Sequence, residues 1–236
     1  MKNVLHKAGT RGHADHGWLN AWHSFSFAGY HDPERIHFGA LRVLNDDTVA
    51  GGMGFGTHPH DNMEIITIPL SGQLEHKDSM GNTGVISKGE VQVMSAGTGI
   101  QHSEKNKSNK DVLKLLQIWV FPDTKNVKPR YDQKAFDLEA AKNTLLTIVS
   151  PMGEGEGLTI HQQAWFSLGR LDKDFRTTYT LKDERNGVYA FVIDGDVTIN
   201  GEKMERRDGM GISGTGELDI VADSEAELLL MEVPMF

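Results

Sequence analysis

Short runs rich in Val, Ile and Leu alternate with glycine-containing turns along most of the 236-residue chain, and this pattern predicts β-structure. Glycine makes up about 11% of the residues, above the roughly 7% of an average protein, which indicates many tight turns. Asp194-Gly195 and Asn200-Gly201 favour the positive φ angles of hairpin turns. The chain is therefore expected to be all-β, built as a sandwich or a barrel. The apolar runs include Met63–Leu70, Val91–Met94, Val112–Phe121 and Val188–Ile193.

Only one segment, Asp132–Lys142, is predicted to be helical, because it is rich in alanine and carries Phe136 and Leu138. It follows a polar stretch, Pro122–Pro129, which contains proline at both ends. That composition is typical of a connection between two structural units, so the stretch is the predicted linker.

The pattern of turns around Gly72 recurs around Gly195, and each copy continues into a Gly-Thr-Gly loop, at Gly97–Gly99 and Gly214–Gly216. Such a repeat is consistent with a duplicated barrel of about 118 residues. The spacings are shorter in the second copy, and glycine turns match easily by chance. One domain or two therefore remain open on this pattern alone.

Composition excludes several classes of protein. The chain has no cysteine, so disulfides, zinc ribbons, iron–sulfur clusters and thiol catalysis are excluded. A formal net charge of -9 argues against direct binding of nucleic acid. No apolar run approaches the ~18 residues of a membrane span, and the first residues lack the apolar core of a secretory signal. We therefore expect a cytoplasmic protein that does not associate with a membrane.

The histidines are unevenly distributed, since ten of the eleven lie at or before His102. Two short motifs stand out, the pair His58 and His60 and the pair His102 and Glu104. Side chains alternate between the two faces of a strand, so both members of each pair point the same way. On adjacent strands, these pairs would place three imidazoles and one carboxylate around one point. Such a set suits divalent Fe, Mn, Ni, Cu or Zn, and leaves two positions of an octahedral ion for substrate and dioxygen.

Simpler interpretations remain open for each of these residues. His58 and His60 could be solvated histidines beside a turn. Glu64, four residues after His60, could be a metal ligand or a buried carboxylate near the site. Pro59 lacks an N–H group, which favours an edge strand or the start of a strand over a central position.

Two other histidine-containing segments and the second half of the chain need separate interpretation. His76 could face a pocket or make a polar contact across strands. The stripe from His23 to Phe27 is typical of core, with a substrate wall as the alternative. Counting from matching glycines places Leu181, Asp183 and Asp219 where the first half has His58, His60 and His102. The second half is therefore not expected to hold the same site.

Several runs of the first half resemble a known family. The segments Gly52–Glu64 and Gly99–Asn106 resemble the two motifs of the cupin superfamily. More specifically, the chain is similar to bacterial pirin-like proteins, a family of cupins. The runs that carry this resemblance are Arg11–Leu19, Trp22–Phe27, Phe55–His60 and Met94–Glu104.

The resemblance implies a bicupin, in which two β-barrels (double-stranded β-helix domains) with little helix follow one another. Residues 1–130 would form the metal-binding cupin domain and residues 131–236 a degenerate cupin domain without a metal site. The ligands carried over from the family are His58, His60, His102 and Glu104, and Glu64 is then not a ligand. The expected metal is Fe(II), with Cu, Ni, Mn, Co and Zn as alternatives.

The resemblance also implies an activity, because bacterial members of this type are associated with quercetin 2,3-dioxygenase. The substrate would be a flavonol or a similar enolic aromatic, which loses a proton, binds the metal and is opened by O2. Glu104 is the expected proton acceptor, and Glu64 is the second candidate for that role. The resemblance also permits an alternative, a metal- or redox-sensing regulatory protein that binds a protein partner, because animal pirins are described as transcriptional cofactors.

Overall fold

The computed structural model describes residues 1–236, and it is almost entirely β-structure. Its helical content is limited to one short 3₁₀ turn, Ala8–Thr10, and no helix has the length and apolar character needed to cross a bilayer. The strands are β1 (Lys2–His6), β2 (Gly12–Asp15), β3 (Leu19–His23), β4 (Leu41–Val49), β5 (Gly54–His60), β6 (Glu64–Ser71), β7 (Gln73–Asp78), β8 (Thr83–Ser87), β9 (Glu90–Ser95), β10 (Ile100–Asn106), β11 (Leu113–Val120), β12 (Arg130–Ala135), β13 (Leu145–Pro151), β14 (Leu158–Ile160), β15 (Trp165–Leu171), β16 (Arg176–Thr180), β17 (Asn186–Asp194), β18 (Val197–Ile199), β19 (Glu202–Met204), β20 (Gly209–Ser213), β21 (Glu217–Ala222) and β22 (Ala226–Pro234).

Two barrels of the same design follow one another, as the resemblance predicted. The first consists of a seven-stranded sheet, β12-β9-β6-β11-β4-β3-β2, and a four-stranded sheet, β5-β10-β7-β8. The second repeats this order, with β1-β20-β17-β22-β15-β13-β14 and β16-β21-β18-β19. The all-β bicupin fold is thereby confirmed, and the repeated glycine turns reflect a real correspondence between the two halves.

The predicted helix over Asp132–Lys142 is wrong. Its first residues belong to β12, which runs antiparallel to β9, with Tyr131 opposite Met94. The remaining residues form turns, and Phe136 and Leu138 pack against the core between the barrels. The free edge of β9 supplies backbone partners, and this tertiary pairing overrides the helix propensity of the alanines.

The edge strands β1 and β12 of the two large sheets do not follow the predicted division of the chain at residue 130. The N-terminal strand β1 pairs with β20 of the second barrel, from Lys2 opposite Ser213 to His6 opposite Gly209. Strand β12 begins at Arg130 and lies almost entirely in the predicted second domain, yet it pairs with β9 of the first barrel. The division into residues 1–130 and 131–236 therefore does not coincide with the sheets, and as a description of independent domains it stays a prediction.

The two seven-stranded sheets pack face to face, and their contact is the largest core of the molecule, a cluster of 24 buried apolar residues. Alternation along β6 explains which side chains take part. Ile66 and Ile68 point towards the second barrel, whereas Ile65 belongs to a cluster inside the first. Phe166 and Phe191 are the corresponding contributions of β15 and β17.

The interiors of the two barrels differ in polarity. The second is filled mainly by one cluster of 17 apolar residues, and its buried carboxylate, Glu232, accepts hydrogen bonds from Tyr179, Asn186 and backbone N–H groups. The first contains two smaller clusters, of seven and four residues, together with buried polar side chains. These polar residues, on the inner face of the large sheet, are Asn45, Asp47, Thr67, Gln92 and Gln117. Chemistry that needs polar atoms is therefore expected inside the first barrel.

Glu64 is a buried polar residue on the outer face of the same sheet. It lies on the same side of β6 as Ile66, towards the second barrel, and its Oε2 accepts a hydrogen bond of 2.7 Å from Ser95. Its other carboxylate oxygen has no hydrogen-bond partner in the protein. Burial raises the pKa of Glu64 from its ordinary value of 4.5 to about 7.

We predict that Phe166→Ala lowers the free energy of unfolding by about 3–5 kcal/mol, because it empties a fully buried site between the sheets. Urea unfolding at neutral pH measures this change. Phe236→Ala is the matched control, because Phe236 is 80% exposed and its removal should change stability by less than about 0.5 kcal/mol. Equal losses in the two variants would contradict the packing described above.

We further predict that Glu64→Gln makes the protein more stable than the wild type at alkaline pH. The folded wild type holds a proton that the unfolded chain releases near the ordinary pKa, so its stability falls as pH rises from 4.5 through 7. Between about pH 5.5 and pH 8 the advantage of the variant should grow by about 2 kcal/mol. Urea unfolding at both pH values tests this, with Glu202→Gln, an exposed glutamate, as the control. An advantage that does not depend on pH would contradict the raised pKa.

Candidate metal centre

Three of the predicted site residues meet where β5 pairs with β10. The register places His102 opposite His58 and Ile100 opposite His60. Strand β5 lies at the edge of its sheet, which is where Pro59 was expected because it cannot donate a ladder hydrogen bond. Strict alternation then turns the imidazoles of both strands to the inner face of the barrel.

The three imidazoles are close enough to share one ion. The ring centroid of His102 lies 4.4 Å from that of His58 and 4.9 Å from that of His60, and the remaining pair is 4.9 Å apart. One ring nitrogen of each residue lies within 4.8 Å of the others. Metal–imidazole bonds are about 2.0–2.1 Å long, so small adjustments bring all three nitrogens to one ion.

The nitrogens that face the centre are available for coordination. Nδ1 of His58 lies 2.8 Å from the carbonyl oxygen of Gly56 and donates to it, which leaves Nε2 as the free acceptor. Nε2 of His60 and both ring nitrogens of His102 have no hydrogen-bond partner in the protein. Buried polar atoms without partners are rare, so this concentration of them fits a bound ion.

Burial keeps two of the three imidazoles, those of His60 and His102, in the form that binds metals. Burial, together with the neighbouring His58, lowers the pKa of His60 to about 4. Burial lowers the pKa of His102 to about 3, with contributions from His58 and His60. Both rings are therefore neutral at physiological pH, and a neutral imidazole is the ligand that divalent metals require.

Glu104 is fully buried beside His102. Its Oε2 accepts a hydrogen bond of 2.8 Å from the side-chain amide of Gln117, and its Oε1 has no partner in the protein. Burial raises the pKa of Glu104. Its carboxylate lies within 4.8 Å of ring nitrogens of His102 and His76. The structure therefore joins Glu104 to the imidazole cluster through His102, and the free Oε1 fits a ligand to the same ion.

His76 is a further histidine of the site whose position the sequence left open. It lies opposite Glu104 on β7, is completely buried, and its Nε2 is 3.3 Å from Oδ2 of Asp78. Its ring stacks on Tyr131, with centroids 4.6 Å apart, and lies 5.3 Å from the ring of His102. The expected polar contact across strands is not found, because Asp78 lies on the same strand, and His76 instead borders the imidazole cluster. Alternation along β7 is the signal that could have placed it.

A cavity of about 240 Å³ opens beside His58 and His60. It is small compared with the roughly 300–1,000 Å³ of common ligand pockets. A second cleft of about 420 Å³ lies between the two barrels, but it contains no histidine and is lined by many charged side chains. The smaller cavity is therefore the candidate substrate site. Its other lining residues are Leu19, Ala21, His23, Phe27, Asn45, Asp47, Phe55, Gln117 and Trp119.

The stripe from His23 to Phe27 contributes to this wall, so the substrate-wall alternative applies to its two ends. Nδ1 of His23 lies 2.8 Å from Oδ1 of Asn45, which fixes the ring at the cavity. Phe27 meets Trp119 edge to face at 5.4 Å. Phe25, between them, is buried in the core between the barrels.

Glu64 is not brought to the imidazoles. Glu64 and Thr67 lie on opposite faces of β6, and Thr67 is the one that points into the first barrel. A proton released in the cavity would have to cross the sheet to reach Glu64. The geometry therefore gives no support to Glu64 as the alternative proton acceptor.

The second barrel has no equivalent cluster. On β21, Asp219 takes the place of His102, as predicted, but its partner on β16 is Thr178, which donates a hydrogen bond of 3.1 Å to it. The predicted equivalence of Leu181 and Asp183 with the first two histidines is wrong, because both residues lie beyond the end of β16. The connection from β16 to β17 is longer than that from β5 to β6, which displaces a count made from the glycines.

Comparison with known proteins agrees with this architecture. The family model described as Pirin matches residues 4–120, and that described as Quercetinase C-terminal cupin domain matches residues 147–233. The chain is 47% identical over 230 residues to a quercetin 2,3-dioxygenase of Escherichia coli (strain K12), covering 98% of each chain. It is 40% identical over 222 residues to a pirin-like protein of Caulobacter vibrioides, covering 94% of this chain and 95% of the other.

The solved structures give the same result. The crystal structure of the bacterial pirin YhhW from Escherichia coli in complex with nickel(II) superposes with a TM-score of 0.94 at 43% identity, covering all of both chains. A quercetin 2,3-dioxygenase structure from Acinetobacter baumannii shares the fold, with a TM-score of 0.81 at 22% identity over 98% of this chain and 85% of the other. With two matching barrels and relatives of this identity along nearly its whole length, the chain belongs to the pirin family of the cupin superfamily.

Proposed function

We propose that the protein is a metal-dependent dioxygenase of the quercetin 2,3-dioxygenase type, which opens a flavonol or a similar enolic aromatic with O2. The observation that carries this proposal is the cluster of three imidazoles with free ring nitrogens beside a cavity with aromatic walls. The relatives named quercetin 2,3-dioxygenase support it, since they extend over nearly the whole chain.

His58, His60, His102 and Glu104 are the proposed ligands of one divalent transition metal. The donor set of imidazole nitrogens and a carboxylate oxygen suits Fe, Mn, Ni, Cu, Co or Zn. The nickel(II) complex of the similar bacterial pirin supports a divalent ion, and Fe(II) remains the metal expected from the family. When bound, such an ion supplies a Lewis acid and a template that holds the substrate oxygen.

The protein's own residues would orient the substrate and accept its proton. Glu104 is the proposed acceptor, by releasing or sharing the metal through Oε1, and its burial favours the protonated form. Gln117 donates to the other oxygen and so holds the carboxyl group in place. Phe27, Phe55 and Trp119 provide apolar surface for an aromatic ring and exclude water from it.

The alternative role, a metal- or redox-sensing regulatory protein with a protein partner, stays a prediction. The names of the similar proteins describe an enzyme or a pirin and say nothing of a partner.

The metal site is tested by calorimetric titration of metal-free protein with Ni(II). The wild type should bind about one ion per chain, and His60→Ala should weaken binding at least about tenfold because it removes a coordinating nitrogen. His16→Ala is the control, since His16 is exposed and lies outside the cluster. Equal affinity in His60→Ala and the wild type would contradict the proposed ligand set.

The activity is tested by measuring oxygen consumption with quercetin. Protein reconstituted separately with Fe, Mn, Ni, Cu and Co should consume oxygen with at least one metal, and His58→Ala should abolish that activity. His16→Ala should retain it. If the wild type is as inactive as His58→Ala with all five metals, the dioxygenase proposal fails for this substrate.

A further inference from the structure

Asp47 is a buried carboxyl group on the wall of the cavity that none of the roles above uses. It lies on the inner face of β4, in the seven-stranded sheet, and only 3% of it is exposed. The cavity that it lines also touches His58 and His60, which belong to the four-stranded sheet. Asp47 therefore borders the substrate site from the opposite sheet.

No cation or donor of the protein satisfies this carboxyl group. Its cross-strand neighbours are Ala21 on β3 and Leu115 on β11, and its Oδ1 has no hydrogen-bond partner. The nearby guanidinium groups go to the preceding residue on the outer face. They are those of Arg11, 3.2 Å from Asp46, and Arg207, 3.3 Å from Asp46.

An unpaired buried carboxyl group is costly, so its presence in a barrel interior requires an explanation. In the second barrel the buried carboxylate, that of Glu232, is satisfied by donors of the protein, among them Tyr179 and Asn186. On the outer face of β4, Asp46 forms salt bridges with two arginines, and these fix the strand so that Asp47 stays at the cavity. This arrangement indicates that the carboxyl group of Asp47 is available to hydrogen-bond a ligand that enters the cavity.

The protonation state of Asp47 defines the kind of hydrogen bond it offers. Burial, together with the neighbouring carboxylates of Asp46 and Glu104, raises the pKa of Asp47 to about 8. At neutral pH the group is therefore mostly a neutral carboxylic acid, which can donate one hydrogen bond and accept another.

We propose that Asp47 is a specificity-determining residue that hydrogen-bonds a second hydroxyl group of the bound aromatic, separate from the enolic oxygen directed to the imidazoles. The inference rests on the proposed function for the class of the ligand. It narrows that class to aromatics that carry a second hydroxyl group on the part of the molecule that faces β4. Aromatics without such a group leave Asp47 unpaired in the complex and bind less well.

The test compares two flavonols that differ in hydroxyl groups, quercetin and 3-hydroxyflavone, in their binding to Ni(II)-loaded protein without oxygen. Changes in flavonol absorbance give the dissociation constants without any turnover. The variants are Asp47→Leu, which removes both donor and acceptor, and Asp47→Asn, which keeps one of each in a similar shape. Urea unfolding and Ni(II) titration of each variant show whether fold and metal site are intact.

We expect Asp47→Leu to weaken quercetin binding about tenfold and to change 3-hydroxyflavone binding less than about twofold. Asp47→Asn should restore most of the preference for quercetin. The same loss for both flavonols, or no loss for either, overturns the role of Asp47 and leaves the dioxygenase proposal standing. If the wild type binds neither flavonol, the inference about Asp47 and the flavonol-like substrate class fall together.

Discussion

The antiparallel register of β5 and β10 is the constraint on which the candidate site depends. It sets His58 opposite His102, and alternation from these two residues then directs His60 and Glu104 into the first barrel as well. A slip of one residue would turn these imidazoles to solvent and leave the cavity without its nitrogen atoms. The edge position of β5 is compatible with Pro59, so this motif costs the ladder little.

The same scaffold serves two purposes in the two barrels. Their sheets have the same strand order, and the large sheets support each other through a shared apolar core. The second interior is mainly apolar and its buried Glu232 is hydrogen-bonded by the protein, whereas the first contains most of the buried side-chain atoms that lack partners. Stability is therefore concentrated in the second barrel and between the sheets. The first barrel can then carry polar groups that a ligand completes.

Much of this could be predicted from the sequence. Glycine turns and apolar runs predicted the strands, and the spacings His-x-His and His-x-Glu predicted which side chains share a face. Local patterns were insufficient where tertiary contacts decide the outcome. Residues 132–135 were predicted to be helical, but the open edge of β9 takes them as a strand. Glu64 lies near His60 in sequence, yet only the packing of two sheets shows that it faces the other way.

Asp47 is a further residue whose environment depends on tertiary contacts and is not evident from the sequence. Nothing in its sequence neighbourhood distinguishes it from Asp46, because both are acidic residues in one strand. Their different environments follow from the face each occupies, since one meets two arginines and the other lines a cavity. Residues whose role depends on which surface covers them require the assembled fold.

X-ray anomalous diffraction from crystals of the Ni(II)-loaded protein tests the central claim most directly. The account predicts one strong anomalous peak inside the first barrel, at about 2.0–2.2 Å from nitrogens of His58, His60 and His102 and from an oxygen of Glu104. No comparable peak should occur in the second barrel. An ion held by His76 and Glu104 without His58 and His60, or no ion in the first barrel at saturating Ni(II), would contradict it.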